Sequence, residues 1–194
     1  MLKKIVWLMA VIIALLAVAF LLLRVSDTDP QAMKKKYGTA ESRQVADGQG
    51  GYIHYRDQGL TSGPALLLVH GANSSLHTWE ELVAILSGKY RLISFDQHGH
   101  GLTGPRADAD YSAAARIDAA IRVLDEVGVH QAIWVGNSMG GWVSWRAGLA
   151  VPERVSGLVL IDASGVQNQQ ELKPYLGARL AQSWLGQILM PYIT

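Results

Sequence analysis

The sequence predicts an α/β fold, a mostly parallel sheet with helices on both faces, preceded by one transmembrane helix. Three observations predict it. From Ser42 onward, short continuous apolar runs alternate with amphipathic helical stretches, as in chained strand–helix–strand units. One of those runs passes straight into a helix through the glycine-rich turn Gly136-Asn137-Ser138-Met139-Gly140-Gly141. Ahead of them lies an uninterrupted run of 19 apolar residues, positions 5–23.

That first run reads as a membrane anchor. At about 1.5 Å rise per residue it spans roughly 28 Å, close to the hydrocarbon thickness of a bilayer. Ala17-Val18-Ala19 resembles a signal-peptidase site, which would make the protein secreted. Cutting there, however, would expose Phe20-Leu21-Leu22-Leu23 at the new terminus, so the uncleaved anchor is the preferred reading. Lys3 and Lys4 on the short side place the N-terminus in the cytoplasm and the rest of the chain outside. Taking these two lysines and Arg24 from the 17 basic residues leaves 14 against 16 acidic ones, so the exported part is net −2.

Residues 25–41 read as a polar tether, in which Asp27, Asp29 and Pro30 stop the helix and Lys34-Lys35-Lys36 form a solvated basic cluster. Strands are expected at 44–45 and 51–56, joined by the Asp47-Gly48 turn. Ala65–Val69 and Arg91–Phe95 are apolar runs of buried parallel-strand type, flanking a helix at 79–86 that stops at Gly88. An alanine-rich helix follows at 112–127, closed by Gly128. A strand at 132–136, a helix at Met139–Ala150 and a strand at Val155–Ile161 complete the alternation. Pro174 and Pro191 flank helical patches around 175–189. The domain division is thus a 1–24 anchor, a 25–41 tether, a 42–165 α/β core and a 166–194 segment of cap-like character.

Composition narrows the chemistry. A chain of 194 residues that is 49% hydrophobic is not disordered. Its 17 basic and 16 acidic residues leave a formal charge of only +1, which gives no electrostatic reason to expect nucleic-acid binding. With no cysteine, disulfides, thiolate nucleophiles and cysteine-ligated metals are excluded. His98 and His100 beside Asp96 invite a metal reading, but no Glu-x-x-His or similar ligand spacing accompanies them. No cofactor and no metal are expected.

The turn at 136–140 fits G-x-S-x-G, and its place between an apolar strand and a helix is where a nucleophile elbow belongs. Ser138 is the expected nucleophile. Met139 would offer its backbone N–H at a helix N-terminus, where a developing oxyanion is favoured. A second oxyanion donor is expected from the N–H of Ala72, in the His70-Gly71-Ala72-Asn73 segment that follows the Ala65–Val69 strand. His70 ends a buried strand and reads as a loop-shaping residue. Asp96-Gln97-His98-Gly99-His100-Gly101 reads as a tight turn buttressing the site floor.

Together, His70-Gly71, Asp96-x-x-Gly99-x-Gly101 and Gly136-x-Ser138-x-Gly140-Gly141 resemble the α/β-hydrolase superfamily in order and spacing, over roughly residues 45–165. The resemblance implies the α/β-hydrolase fold and a serine hydrolase of esterase or monoacylglycerol-lipase type, its substrate a small hydrophobic ester or acyl compound. In that family a histidine deprotonates the serine, the oxyanion hole holds the tetrahedral intermediate, and water releases the acyl-enzyme. The family order is serine, then acid, then histidine. All six histidines here (54, 70, 77, 98, 100, 130) precede Ser138. Asp162 is a candidate acid, although a strand-end aspartate ordinarily serves a turn.

The expectation is therefore a truncated N-terminal part of a membrane-anchored hydrolase, its last strands missing and its catalytic histidine beyond Thr194. Two alternatives stay open: a short protein that binds hydrophobic ligands or a partner without turnover, and a site completed by a histidine from another chain. A carbon–carbon-bond hydrolase of meta-cleavage-product type is the other catalytic reading.

Overall fold

The computed structural model describes residues 2–24, 28–165 and 183–184. Two compact units make up the chain, Met1–Asp29 with Asn168–Thr194, and Pro30–Gln167. In the first unit, helix α1 covers Leu2–Leu23, and from Lys3 onward its side chains are mostly exposed. It is the one described helix long and apolar enough to cross a membrane. Apolar on every face, it has no polar stripe to turn toward water. The expected 166–194 segment lies outside the described residues except for Ser183 and Trp184.

The second unit opens with α2, Pro30–Tyr37. The stretch expected as a polar tether thus contains two turns of helix. Pro30 presets the first helical φ, Ala-Met-Lys-Lys-Lys are strong helix formers, and the three lysines sit in the last turn, where the helix dipole favours cations. Six strands follow: β1 Arg43–Ala46, β2 Tyr52–Gly59, β3 Ala65–Val69, β4 Arg91–Phe95, β5 Ala132–Asn137 and β6 Val155–Ile161. Three further helices are interleaved: α3 Glu80–Leu86, α4 Ala113–Glu126 and α5 Met139–Ala150. The boundaries agree with the periodicity to within a few residues. Ser112 caps α4 by accepting from the Ala115 N–H, and Gly128 takes φ 67° just beyond it.

The sheet order is β1-β2-β4-β3-β5-β6. β1, β2 and β4 pair antiparallel, whereas β4, β3, β5 and β6 run parallel. This is the α/β-hydrolase fold expected from the sequence. The chain steps one way from β3 to β4, then returns past β3 to β5 and β6. Right-handed crossovers in opposite directions must place their helices on opposite faces. Accordingly Leu66, Leu68, Leu92 and Val135 pack against α3, while Leu67, Val69, Ile93 and Phe95 pack against α4 and α5. Alternate residues of each strand serve the two layers, so the strands read as unbroken apolar runs. The reversal also opens a crevice at the carboxyl ends of β3 and β5, where such sheets bind ligands.

Strand β6 ends the sheet among the described residues. Leu158, Val159, Leu160 and Ile161 are 40–46% exposed there.

Leu67 is fully buried between β4, β5 and the α4/α5 layer. Leu67→Ala is expected to cost about 2–5 kcal/mol, read as a lower urea midpoint with an unchanged slope.

Candidate active site

Three loops occupy the carboxyl ends of the parallel strands: 70–73 after β3, 96–103 after β4, and the turn at Ser138 after β5. Ser138 has φ 50° and ψ −114°, a sparsely populated conformation for a residue with a side chain. Backbone bonds hold it there. Its N–H donates to the Ile161 carbonyl at 2.9 Å, and its own carbonyl accepts from Trp142 N–H at 3.1 Å and Ser164 N–H at 3.0 Å.

Close approach explains the flanking glycines. A Cβ on Gly136 would overlap the Gly140 carbonyl and the Ser144 hydroxyl. One on Gly140 would overlap the Val69 and His70 carbonyls, and one on Gly141 the Ala163 side chain. Bare backbone therefore lets α5 begin against the end of β3. Met139 is the first residue of α5, so its N–H has no intrahelical acceptor. The 70–73 loop lies against the same turn: a Cβ on Gly71 would sit 3.2 Å from the Ser138 Cβ and 3.0 Å from Asn137 Oδ1. Ala72, next in that loop, is exposed. The fold thus brings together Ser138, Met139 and the loop carrying Ala72.

Asp162 follows β6, exposed, with φ 45°. Among the described residues neither it nor any histidine hydrogen-bonds to the Ser138 hydroxyl. The nearby histidines have other work. His70 is fully buried, with Nδ1–H donating to the Gly71 carbonyl at 2.7 Å and Nε2 accepting from Gln97 N–H at 3.0 Å. Burial disfavours its charged form and holds its pKa below the ordinary value, against the Gly71 bond and the Asp96 charge. Gln97 also gives its side-chain amide to the His70 carbonyl at 2.7 Å and accepts from Arg116 at 3.2 Å. His70 therefore joins two loops and has no free nitrogen, as the loop-shaping reading expects. No metal-holding cluster of His and carboxylates occurs among the described residues.

Asp96 is the centre of the second loop. It is 1% exposed and accepts from Leu76 N–H at 2.7 Å, Leu102 N–H at 2.9 Å and His54 Nδ1 at 2.8 Å. Burial alone would raise its pKa, but the bonds from His54, Leu102 and Leu76 outweigh it and hold the carboxyl below its usual range. A Cβ on Gly101 would overlap this carboxylate, which accounts for the glycine at φ 53°. His98 is tied in the same way to the buried Asp47 at 3.2 Å.

Sequence reasoning missed the partners of Asp96. His54 Nε2 lies 2.8 Å from Ser42 Oγ, so Asp96, His54 and Ser42 form one hydrogen-bonded chain. Neither residue sits in a recognisable motif. The antiparallel register, with Gln44 opposite His54 and Tyr55 opposite Phe95, is what assembles them.

The family described as "alpha/beta hydrolase fold" matches residues 64–186. The chain is 36% identical over 150 residues to the 2-hydroxy-6-oxononadienedioate/2-hydroxy-6-oxononatrienedioate hydrolase of Burkholderia vietnamiensis, covering 72% of this chain and 50% of that protein. A hydrolase from Pseudomonas aeruginosa superposes with a TM-score of 0.64 at 25% identity, over 79% of this chain and 58% of its own. The esterase RhEst1 from Rhodococcus sp. superposes with a TM-score of 0.58 at 34% identity, over 63% of this chain and 46% of its own. The chain spans half or less of the curated relatives it matches.

Because its folded-state pKa is lowered, Asp96 adds stability that is full above the ordinary carboxylate value of about 3.9 and is lost as pH falls through the lower folded-state value. Asp96→Asn is expected to remove about 3 kcal/mol at neutral pH and to flatten the acid limb of a stability–pH curve measured by denaturant titration.

Proposed function

The chain belongs to the α/β-hydrolase fold family, and from that premise we propose that it carries the nucleophile half of a serine hydrolase acting on carboxylic esters or related acyl compounds. The observation that supports this reading is the strained Ser138 turn between β5 and α5, packed against the 70–73 loop. In the proposed reaction Ser138 Oγ gives its proton to the general base and attacks the carbonyl carbon, and the ester C–O bond then breaks, the alcohol leaving with that proton as the acyl-enzyme forms. The N–H groups of Met139 and Ala72 receive the developing oxyanion, and water later hydrolyses the acyl-enzyme. A preorganised donor pair of this kind contributes several kcal/mol to the transition state, about 3–4 per donor.

The proposed general base is not one of the buried histidines described above. No histidine follows Ser138, and His54, His70 and His98 are committed to buried bonds. Asp162 is the acid candidate within the chain; its place after β6 supports it and its exposure argues for a turn role instead. A carbon–carbon-bond hydrolase is the second reading, favoured by the 36% identity to the Burkholderia dienedioate hydrolase. That chemistry would use the same nucleophile and oxyanion donors on a vinylogous diketone. The apolar α1 supports single-pass anchoring, with Lys3 and Lys4 inside and the hydrolase unit outside.

The test is labelling of detergent-solubilised full chain with a fluorophosphonate, read by mass on the tryptic peptide 123–146 that holds Ser138. Labelling is expected to be slow, because losing the triad base costs on the order of 10⁶ in rate. Added imidazole should accelerate it, and Ser138→Ala should abolish it. Rapid labelling without imidazole would overturn the lack of an assembled base at Ser138; no labelling under either condition would overturn Ser138 as nucleophile.

A further inference from the structure

The Asp96–His54–Ser42 chain has a geometry that a structural tie does not require. Asp96 accepts from two backbone N–H groups and from His54, so it is the acceptor at all three bonds and is held ionised. His54 Nδ1 must then carry the proton given to Asp96. In the neutral ring Nε2 is then an acceptor, and the hydroxyl of Ser42, its partner at 2.8 Å, can donate to it. Thr39 N–H donates to the same Oγ at 3.0 Å, placing a positive dipole where alkoxide character would develop. His54 is 2% exposed and Asp96 1%, whereas Ser42 is only partly buried. A base and its orienting carboxylate thus lie behind a serine that is itself only partly buried.

We propose that Ser42, His54 and Asp96 form a second activated serine, independent of Ser138, which takes an acyl or phosphonyl group from small activated electrophiles such as aryl esters and fluorophosphonates. Ser42 Oγ attacks the acyl carbon and its proton passes to His54 Nε2. The bond to the aryl oxide breaks, and the departing oxide collects that proton, leaving a Ser42 ester and a phenol. With a fluorophosphonate, Oγ bonds to phosphorus and hydrogen fluoride leaves. The Thr39 N–H points at Oγ itself rather than at an incoming carbonyl. The adduct therefore forms with base assistance alone, worth about 10²–10⁴-fold, and persists once made.

The two serines fall on different tryptic peptides, 37–43 for Ser42 and 123–146 for Ser138, so their fates are read separately. Full-length Ser138→Ala protein in detergent is treated with a fluorophosphonate across a range of pH. An adduct on peptide 37–43 is expected, absent in the Ser42→Ala double variant and about 100-fold slower with His54→Gln, which should also abolish the pH dependence. Because His54 is buried and its variant can fail to fold, a second measurement leaves the chain of bonds in place. The protein has no cysteine, so Ser42→Cys introduces a single thiol. Iodoacetamide at pH 6 is expected to alkylate it at least 10-fold faster than the thiol of Ser62→Cys, an exposed control. No adduct on peptide 37–43, an adduct indifferent to His54, or equal alkylation of the two thiols overturns the proposal. None of these results bears on Ser138.

Discussion

The buried carboxylate of Asp96 holds the site end of the sheet in register. Three donors converge on it from three separate segments: His54 on β2, the Leu76 N–H before α3, and the Leu102 N–H in the loop after β4. Removing that charge from water is costly, and the cost is met only because every donor is in place at once. The arrangement is therefore all or nothing. It fixes where β2 lies against β4, where the helix after β3 starts, and how the 96–103 loop folds back. The lack of a side chain at Gly101 follows from the same demand, since the carboxylate occupies the space a Cβ would need.

A second constraint acts beside it through close packing rather than charge. Gly136, Gly140 and Gly141 let α5 start directly against the end of β3, and this contact drives Ser138 to positive φ. The strain at Ser138 is balanced by its backbone bonds to Ile161, Trp142 and Ser164. His70 and Gln97, both buried, then link the β3 loop to the β4 loop through paired bonds. The loop carrying Ala72 and the turn carrying Ser138 are therefore held by two rigid systems that meet, one ionic and one steric. The apolar residues of β6 stand outside both, with one strand edge uncovered among the described residues.

Much of this was legible in the residues. Apolar runs of five or six residues gave β3, β4 and β5, because a strand covered by helices on both faces has no polar side to alternate. The start of α5 at Met139 followed from the glycine spacing alone. Two features were not legible. The helix at Pro30–Tyr37 was hidden by its polarity, since a short exposed helix carries no apolar stripe to betray it. The ties among Ser42, His54 and Asp96 were hidden by sequence distance: 42 residues separate His54 from Asp96, and no local pattern encodes such a pair.

By itself, then, the sequence determined the elements of the sheet and its covering helices, their order, the α/β class and the position of Ser138, since each depends on periodicity or on glycine at fixed local offsets. The tertiary structure alone decided which histidines are occupied and with what. Hydrogen-bond partners are chosen by strand register and loop approach, and those arise only when the sheet is assembled. His70 became a buried link and His54 the middle of a carboxylate–imidazole–hydroxyl chain because β2 and β4 pair as they do, with Tyr55 opposite Phe95.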